Sequence, residues 1–152
     1  MLTMERSYQQ GKYRPKNPSK YNGDCTNIIF RSSYELKMFQ YCDLNENVIY
    51  WESEEKVIPY LDPITGRYKR YFPDVFIKYK DKEGNIRKAL IEIKPQKDLI
   101  EPEKNPKRKT KSWVYRVQTW ARNQAKWSAA KDWCKDRNIE FRVFTERELG
   151  IR

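Results

Sequence analysis

Tyr71-Phe72-Pro73-Asp74-Val75-Phe76-Ile77-Lys78-Tyr79-Lys80, then Asp81-Lys82-Glu83-Gly84-Asn85, then Ile86-Arg87-Lys88-Ala89-Leu90-Ile91-Glu92-Ile93-Lys94-Pro95 is the stretch that decides the fold. Two runs rich in β-branched and aromatic residues flank five turn-forming ones, which reads as a β-hairpin. Pro95 cannot donate to a ladder and stops the second strand. If Lys80 pairs with Ile86, then Lys78 opposes Lys88, Phe76 opposes Leu90 and Asp74 opposes Glu92. Side chains alternate with period two, so Asp74, Glu92 and Lys94 fall on one face.

Like charges placed opposite each other destabilise a ladder. A divalent cation turns that cost into a site, because magnesium binds one or two carboxylates and keeps its waters. A lysine one step beyond can orient or deprotonate an attacking water, or stabilise charge developing on a phosphorane. The plainer alternative is a solvated sheet face with Lys94 as an ion-pair partner. Against it, Glu92 is interleaved with Leu90, Ile91 and Ile93 in a strand that reads as central, where unpaired charge is unfavourable.

Outward from the hairpin, Lys56–Tyr60 and Arg67–Phe72 read as strands around an Asp62–Gly66 turn. Upstream, Ser32 or Ser33 caps a helix over about Ser33–Leu44, with Tyr34, Lys37, Met38 and Tyr41 at helical spacing. Downstream, residues 95–111 hold three prolines and Lys107-Arg108-Lys109-Thr110-Lys111, a long basic loop of a length uncommon unless functional or disordered. Ser112 is the expected cap of a helix over about Trp113–Asp136. Its Trp113, Val117, Trp120, Gln124, Trp127 and Ala130 form a stripe expected to face the core. A strand over Glu140–Thr145 ends the pattern. Helix, antiparallel strands, helix, strand is an α/β (α+β) arrangement with a mixed central sheet flanked by helices. Residues 1–22, rich in Lys, Pro, Ser and Gln, read as a basic extended arm, and 23–152 as a single domain.

The chain of 152 residues carries a formal net charge of +11 and no histidine. Without an imidazole there is no Ser-His-Asp or Cys-His hydrolase, no His-ligated zinc and no histidine-based nuclease chemistry. Five Trp, eleven Tyr and six Phe supply core area despite a hydrophobic fraction of 38%. Cys25, Cys42 and Cys134 show no C-x-x-C spacing and read as reduced thiols. No signal peptide and no membrane-length apolar run are present, so the expectation is a soluble intracellular protein with no membrane partner. The excess charge calls for a polyanion. It is concentrated in the arm (Lys12, Arg14, Lys16) and the loop (Lys107, Arg108, Lys109, Lys111), while Asp43, Glu46, Glu52, Glu54 and Glu55 lie together elsewhere. One binding face is therefore expected.

Pro73-Asp74 … Glu92-Ile93-Lys94 resembles the PD-(D/E)xK nuclease signature, whose core has the same element order and is restriction-endonuclease-like. Arg31-Ser32-Ser33-Tyr34-Glu35, Tyr71-Phe72-Pro73-Asp74, Ile91-Glu92-Ile93-Lys94-Pro95 and the Trp-rich last helix, four segments in order, resemble the head completion nucleases of T-even-type tailed phages, from about Lys12 to the C-terminus. The resemblance implies a Mg2+-dependent endodeoxyribonuclease, with Mn2+ substituting and no small-molecule cofactor. It implies Asp74, Glu92 and the Ile93 backbone carbonyl as metal ligands, Glu35 on the metal or its water, and Lys94 assisting the nucleophile. It implies double-stranded DNA and phage head or connector proteins as partners. The setting would be the host cytoplasm during assembly and the head–neck region of the virion, before tails attach. Two other readings stay open: a non-catalytic DNA- or connector-binding head assembly protein, and a TnsA-like transposon-end nuclease. The latter is disfavoured because that family usually carries a further C-terminal domain, which an end at Arg152 does not accommodate.

Overall fold

A computed structural model describes residues 10–151. From Val75 to Lys80 the hairpin pairs as the spacing predicts, while the expected Asp74–Glu92 pair lies beyond the ladder. Strands β6 (Val75–Lys80) and β7 (Ile86–Ile93) run antiparallel, with Lys80 opposite Ile86, Lys78 opposite Lys88 and Phe76 opposite Leu90. The ladder ends at Val75 and Ile91, and the Asp74 carboxylate takes over by accepting the Ile93 N–H at 2.7 Å.

Three short strands precede this hairpin and escape the periodicity reading. β1 (Gly11–Tyr13) pairs with β2 (Ile28–Phe30), and β3 (Val48–Ser53) pairs with β6. The missed β3 has a register shift between Val48 and Tyr50, so its side chains do not alternate cleanly. A bulge of this kind erases the period-two signal. β4 (Ile58–Leu61) and β5 (Tyr68–Tyr71) form a separate two-stranded ribbon rather than joining the main sheet. Asp62 makes its turn: Oδ1 accepts the Ile64 N–H at 2.8 Å, and its carbonyl accepts from Gly66 at 2.8 Å. Gly66 has φ +70°, which a side-chain-bearing residue adopts only under strain.

Helix α1 (Ser33–Leu44) has the expected bounds, capped by Ser32, whose Oγ accepts the Glu35 N–H at 3.1 Å. Helix α2 (Lys111–Asp136) begins two residues earlier than expected, because Thr110 rather than Ser112 is the cap. β8 (Glu140–Phe144) then lies parallel to β7 and gives the central order β3-β6-β7-β8. A last short helix, α3 (Glu146–Leu149), starts with a Thr145/Glu148 capping box. The sheet is mixed and covered on both faces, as expected.

Alternation along β6 and β7 sorts the core into two layers. Val75, Ile77, Ala89, Ile91 and Ile93 pack with Met38, Phe39 and Cys42 of α1, around a fully buried Trp51. Phe76 and Leu90 pack on the other face with Ile58, Tyr60 and Tyr71 of the ribbon and Trp127, Ala130 and Cys134 of α2. Covering both faces explains why these strands read as nearly continuous apolar runs. The α2 stripe is only half core: Trp127 and Ala130 are buried, Trp113 and Trp120 are half-buried, and Gln124 is exposed.

The expectation of an extended arm to Asn22 is corrected over residues 11–22, and residues 1–9 lie outside the described residues. Asp43, fully buried, accepts from the Tyr13 hydroxyl at 2.6 Å and from the Lys16 and Asn17 N–H groups at 2.7 and 2.9 Å. Burial works to raise the Asp43 pKa, and these hydrogen bonds outweigh it and hold the carboxyl below its ordinary range. Tyr21 stacks edge-on against Trp51 at 4.8 Å. The sequence composition looks disordered, but one buried aspartate and two tyrosines tie the segment down. The three cysteines are free thiols.

Candidate active site

Parity places Glu92 and Lys94 at the end of β7. Glu92 shares the α2-facing side of β7 with Leu90 and is 7% exposed. Lys94, just past the strand, brings Nζ to 3.8 Å from Glu92 Oε2. Its own N–H donates to the Phe144 carbonyl at 2.9 Å, so β8 fixes the strand end. Asp74 is held at both ends of its residue. The carboxylate accepts from Ile93, and its carbonyl accepts the Glu54 N–H at 3.2 Å. Glu54 has φ 56°, a left-handed conformation uncommon outside glycine.

The electrostatics follow from enclosing two acids. Burial pushes Asp74 well above the usual carboxylate range, and the charges of Glu92 and Glu35 push the same way, against the Ile93 N–H and Lys94. Burial also raises Glu92, opposed by the Tyr71 hydrogen bond, Lys94 and Lys126. Glu35, in the first turn of α1, is raised by burial and by the charges of Glu54 and Glu92, against the Arg31 N–H that it accepts at 3.2 Å. Asp74 thus lies within electrostatic reach of Glu35, Glu92 and Lys94. The whole set is crowded with negative charge that the protein compensates only in part.

Hard oxygen donors with surplus negative charge suit a hard dication. Among the described residues no three acidic or cysteine side chains converge tightly enough to form a ready-made cage. Two carboxylates plus waters is the donor set the chain offers, so the residues present fit a cation that keeps much of its hydration.

Sequence reasoning missed three contributors. Tyr71 donates from its hydroxyl to Glu92 Oε1 at 2.5 Å. Lys126 of α2 sits 5.7 Å from the Tyr60 ring centroid and 5.8 Å from that of Tyr71. Arg31 pairs with Glu54 at 2.5 Å. Tyr71 opens the quoted stretch, but no spacing rule links a residue of the ribbon to a carboxylate of the central sheet.

The basic candidates stand apart from the acids. Lys12, Arg14 and Lys16 are exposed on the folded N-terminal segment, and Lys107, Arg108, Lys109 and Lys111 are exposed before and at the start of α2. No ion pair or hydrogen bond among the described residues ties either group to the carboxylates. A cleft of about 610 Å³ does begin at Lys94, between residues 97–103 and the first half of α2, and includes Lys97, Arg116 and Trp120. It also holds Asp98, Glu101 and Glu103. The larger cavity, about 690 Å³, lies between α1 and the sheet among Met38, Tyr41, Ile77 and Ile91, on the face away from Glu92.

A mixed sheet covered on both faces, with aspartate and Glu-x-Lys at adjacent strand ends, is the core of a restriction-endonuclease-like nuclease. Residues 45–146 match the family described as TnsA-like endonuclease N terminal, and the chain belongs to that family. It is also similar to the head completion nuclease of Enterobacteria phage T4, with 40% identity over 148 residues, covering 93% of this chain and 96% of that protein.

Proposed function

We propose that this protein is a divalent-metal-dependent DNA endonuclease that acts in phage head completion. The observation that carries the chemistry is buried Glu92 with Lys94 at 3.8 Å and Asp74 anchored on the neighbouring Ile93 N–H. The similarity to a head completion nuclease supports the setting. Asp74 and Glu92 hold the cation, Mg2+ by preference with Mn2+ substituting. The Ile93 carbonyl and Glu35 complete its surroundings, Glu35 directly or through a water. When bound, the cation polarises the scissile phosphate and lowers the pKa of a coordinated water.

The chain's own groups do the rest. The ammonium of Lys94 faces the same space as Glu92. There it orients the attacking water and offsets charge as the phosphate becomes pentacoordinate. Lys107, Arg108, Lys109 and Lys111, with Lys12, Arg14 and Lys16, contact backbone phosphates and set affinity without reading sequence. Head and connector proteins are the proposed protein partners, with the host cytoplasm and the head–neck region of the virion as the setting. No helix among the described residues is long and apolar enough to cross a membrane.

The test is nicking of supercoiled plasmid in Mg2+. Wild type converts it to open circle, while Glu92→Gln and wild type in EDTA leave it intact. Equal nicking by wild type and Glu92→Gln sinks the proposal. Protection of DNA without cleavage would instead favour a binding role.

A further inference from the structure

Tyr71 belongs to neither the signature nor the central sheet, yet its hydroxyl donates a short hydrogen bond, 2.5 Å, to Glu92 Oε1. The residue is 5% exposed and Glu92 is 7% exposed, so water does not compete for that bond. A carboxylate has two oxygens. Tyr71 occupies Oε1, and Oε2 is the one turned toward Lys94. Left to itself, a Glu side chain has three rotatable bonds and would sample several orientations.

Tyr71 is itself held from two directions. Across the ribbon it pairs with Ile58, which is buried. The ribbon is pinned to α2 by its turn. Fully buried Asp62 receives Lys69 at 2.8 Å and Arg122 of α2 at 3.2 Å. Four residues further along α2, Lys126 lies over the Tyr60 and Tyr71 rings. Cations at this range are attracted to ring faces. Trp127, the next residue, packs in the same buried cluster as Tyr71. Ribbon and helix together therefore fix one phenol.

We infer that Tyr71 is a positioning residue for the metal site: its O–H locks Glu92 Oε1 so that Oε2 is presented to the divalent cation, and the β4–β5 ribbon docked on α2 exists in part to hold that phenol in place. This rests on the metal-dependent reading above. Outer-shell donors of this kind typically carry about 10–100-fold in metal affinity when removed.

The test is Tyr71→Phe, which keeps the ring in the core and deletes the oxygen alone. Mn2+ binding to the full chain without DNA is measured by calorimetry, with thermal melting as the check on folding. The expected result is an affinity for Mn2+ about 10-fold or more weaker, with a cooperative melt retained. Plasmid nicking then needs more Mn2+ for half-maximal rate but recovers at saturating Mn2+, because the ligand is displaced rather than lost. A purely structural role would lower the melting temperature without that split. Wild-type and Tyr71→Phe proteins that bind Mn2+ equally overturn this inference alone. A wild type that binds no Mn2+ overturns the metal-dependent reading and this inference with it.

Discussion

Glu92 meets two opposed demands: it is buried in the α2-facing layer, and the cation-binding role proposed for it requires a charge. The structure settles the conflict partly, with Tyr71 and Lys94 facing the two carboxylate oxygens and the Glu92 charge raising Asp74. Without metal this arrangement is destabilising above the acid range. Asp74 and Glu92 have raised pKa values in the folded state. Their contribution to stability is therefore fully present below the unfolded carboxyl values near ~4 and is lost as pH rises through the raised values. Asp74→Asn should accordingly be no more stable than wild type near pH 4 and more stable at neutral pH, by about 1 kcal/mol, the usual size of a stabilising substitution. Chemical denaturation of metal-free protein at the two pH values checks it, and a pH-independent difference refutes it. The same variant should lose cleavage, because the cation supplies several kcal/mol of transition-state stabilisation. Lys94→Met should lower the nicking rate by about 100-fold or more at saturating Mg2+, read from single-turnover kinetics.

At the scale of elements, the caps and the α2 stripe show which sequence signals carried through. Ser32 caps α1 as expected, and its bond to the Glu35 N–H sets the first turn, in which Glu35 lies. Ser32→Ala should cost about 1 kcal/mol in stability, a drop of about 2–4 °C in melting temperature for a chain of this size. The cap of α2 was misplaced because Thr110 and Ser112 are chemically alike, and only the backbone turn chooses between them. The tryptophan stripe is continuous in sequence but meets the sheet only in its second half. Trp127→Ala should therefore cost about 3–5 kcal/mol. Trp120→Ala, in the half-buried stretch beside the Lys94 cleft, should cost much less. Equal losses by urea denaturation would mean the two halves pack alike. The ribbon strands were recognised as strands, but their separation from the main sheet was not, since a missed β3 left β6 without its true neighbour.

For the whole molecule, the charge map matters more than its sum. The acids of 43–55 are largely spent on structure: Asp43 clasps the N-terminal segment, Glu52 accepts from Asn22 and pairs with Lys56, and Glu54 pairs with Arg31. The basic side chains of Lys12, Arg14, Lys16 and the 107–111 run remain exposed. Log affinity for duplex DNA should fall with log salt at about 0.9 per phosphate contacted. Replacing Lys107, Arg108, Lys109 and Lys111 with Ala should reduce that slope by up to about 0.9 for each residue that makes a contact. Fluorescence anisotropy of a labelled duplex with catalytically dead Glu92→Gln measures it, and an unchanged slope would exclude the loop from the interface.

The sequence by itself determined the β6–β7 register, the side of β7 on which Glu92 falls, the α1 helix and the absence of histidine chemistry. These depend on local period, turn length and residue type, which a linear chain records. Only the tertiary structure decided that β3 completes the sheet, that residues 11–22 fold back onto Asp43, and that Tyr71 reaches Glu92 from a separate ribbon held by Asp62 and Arg122. Those outcomes join residues tens of positions apart through buried polar contacts. Their geometry is set by how layers pack, and no spacing along the chain encodes it.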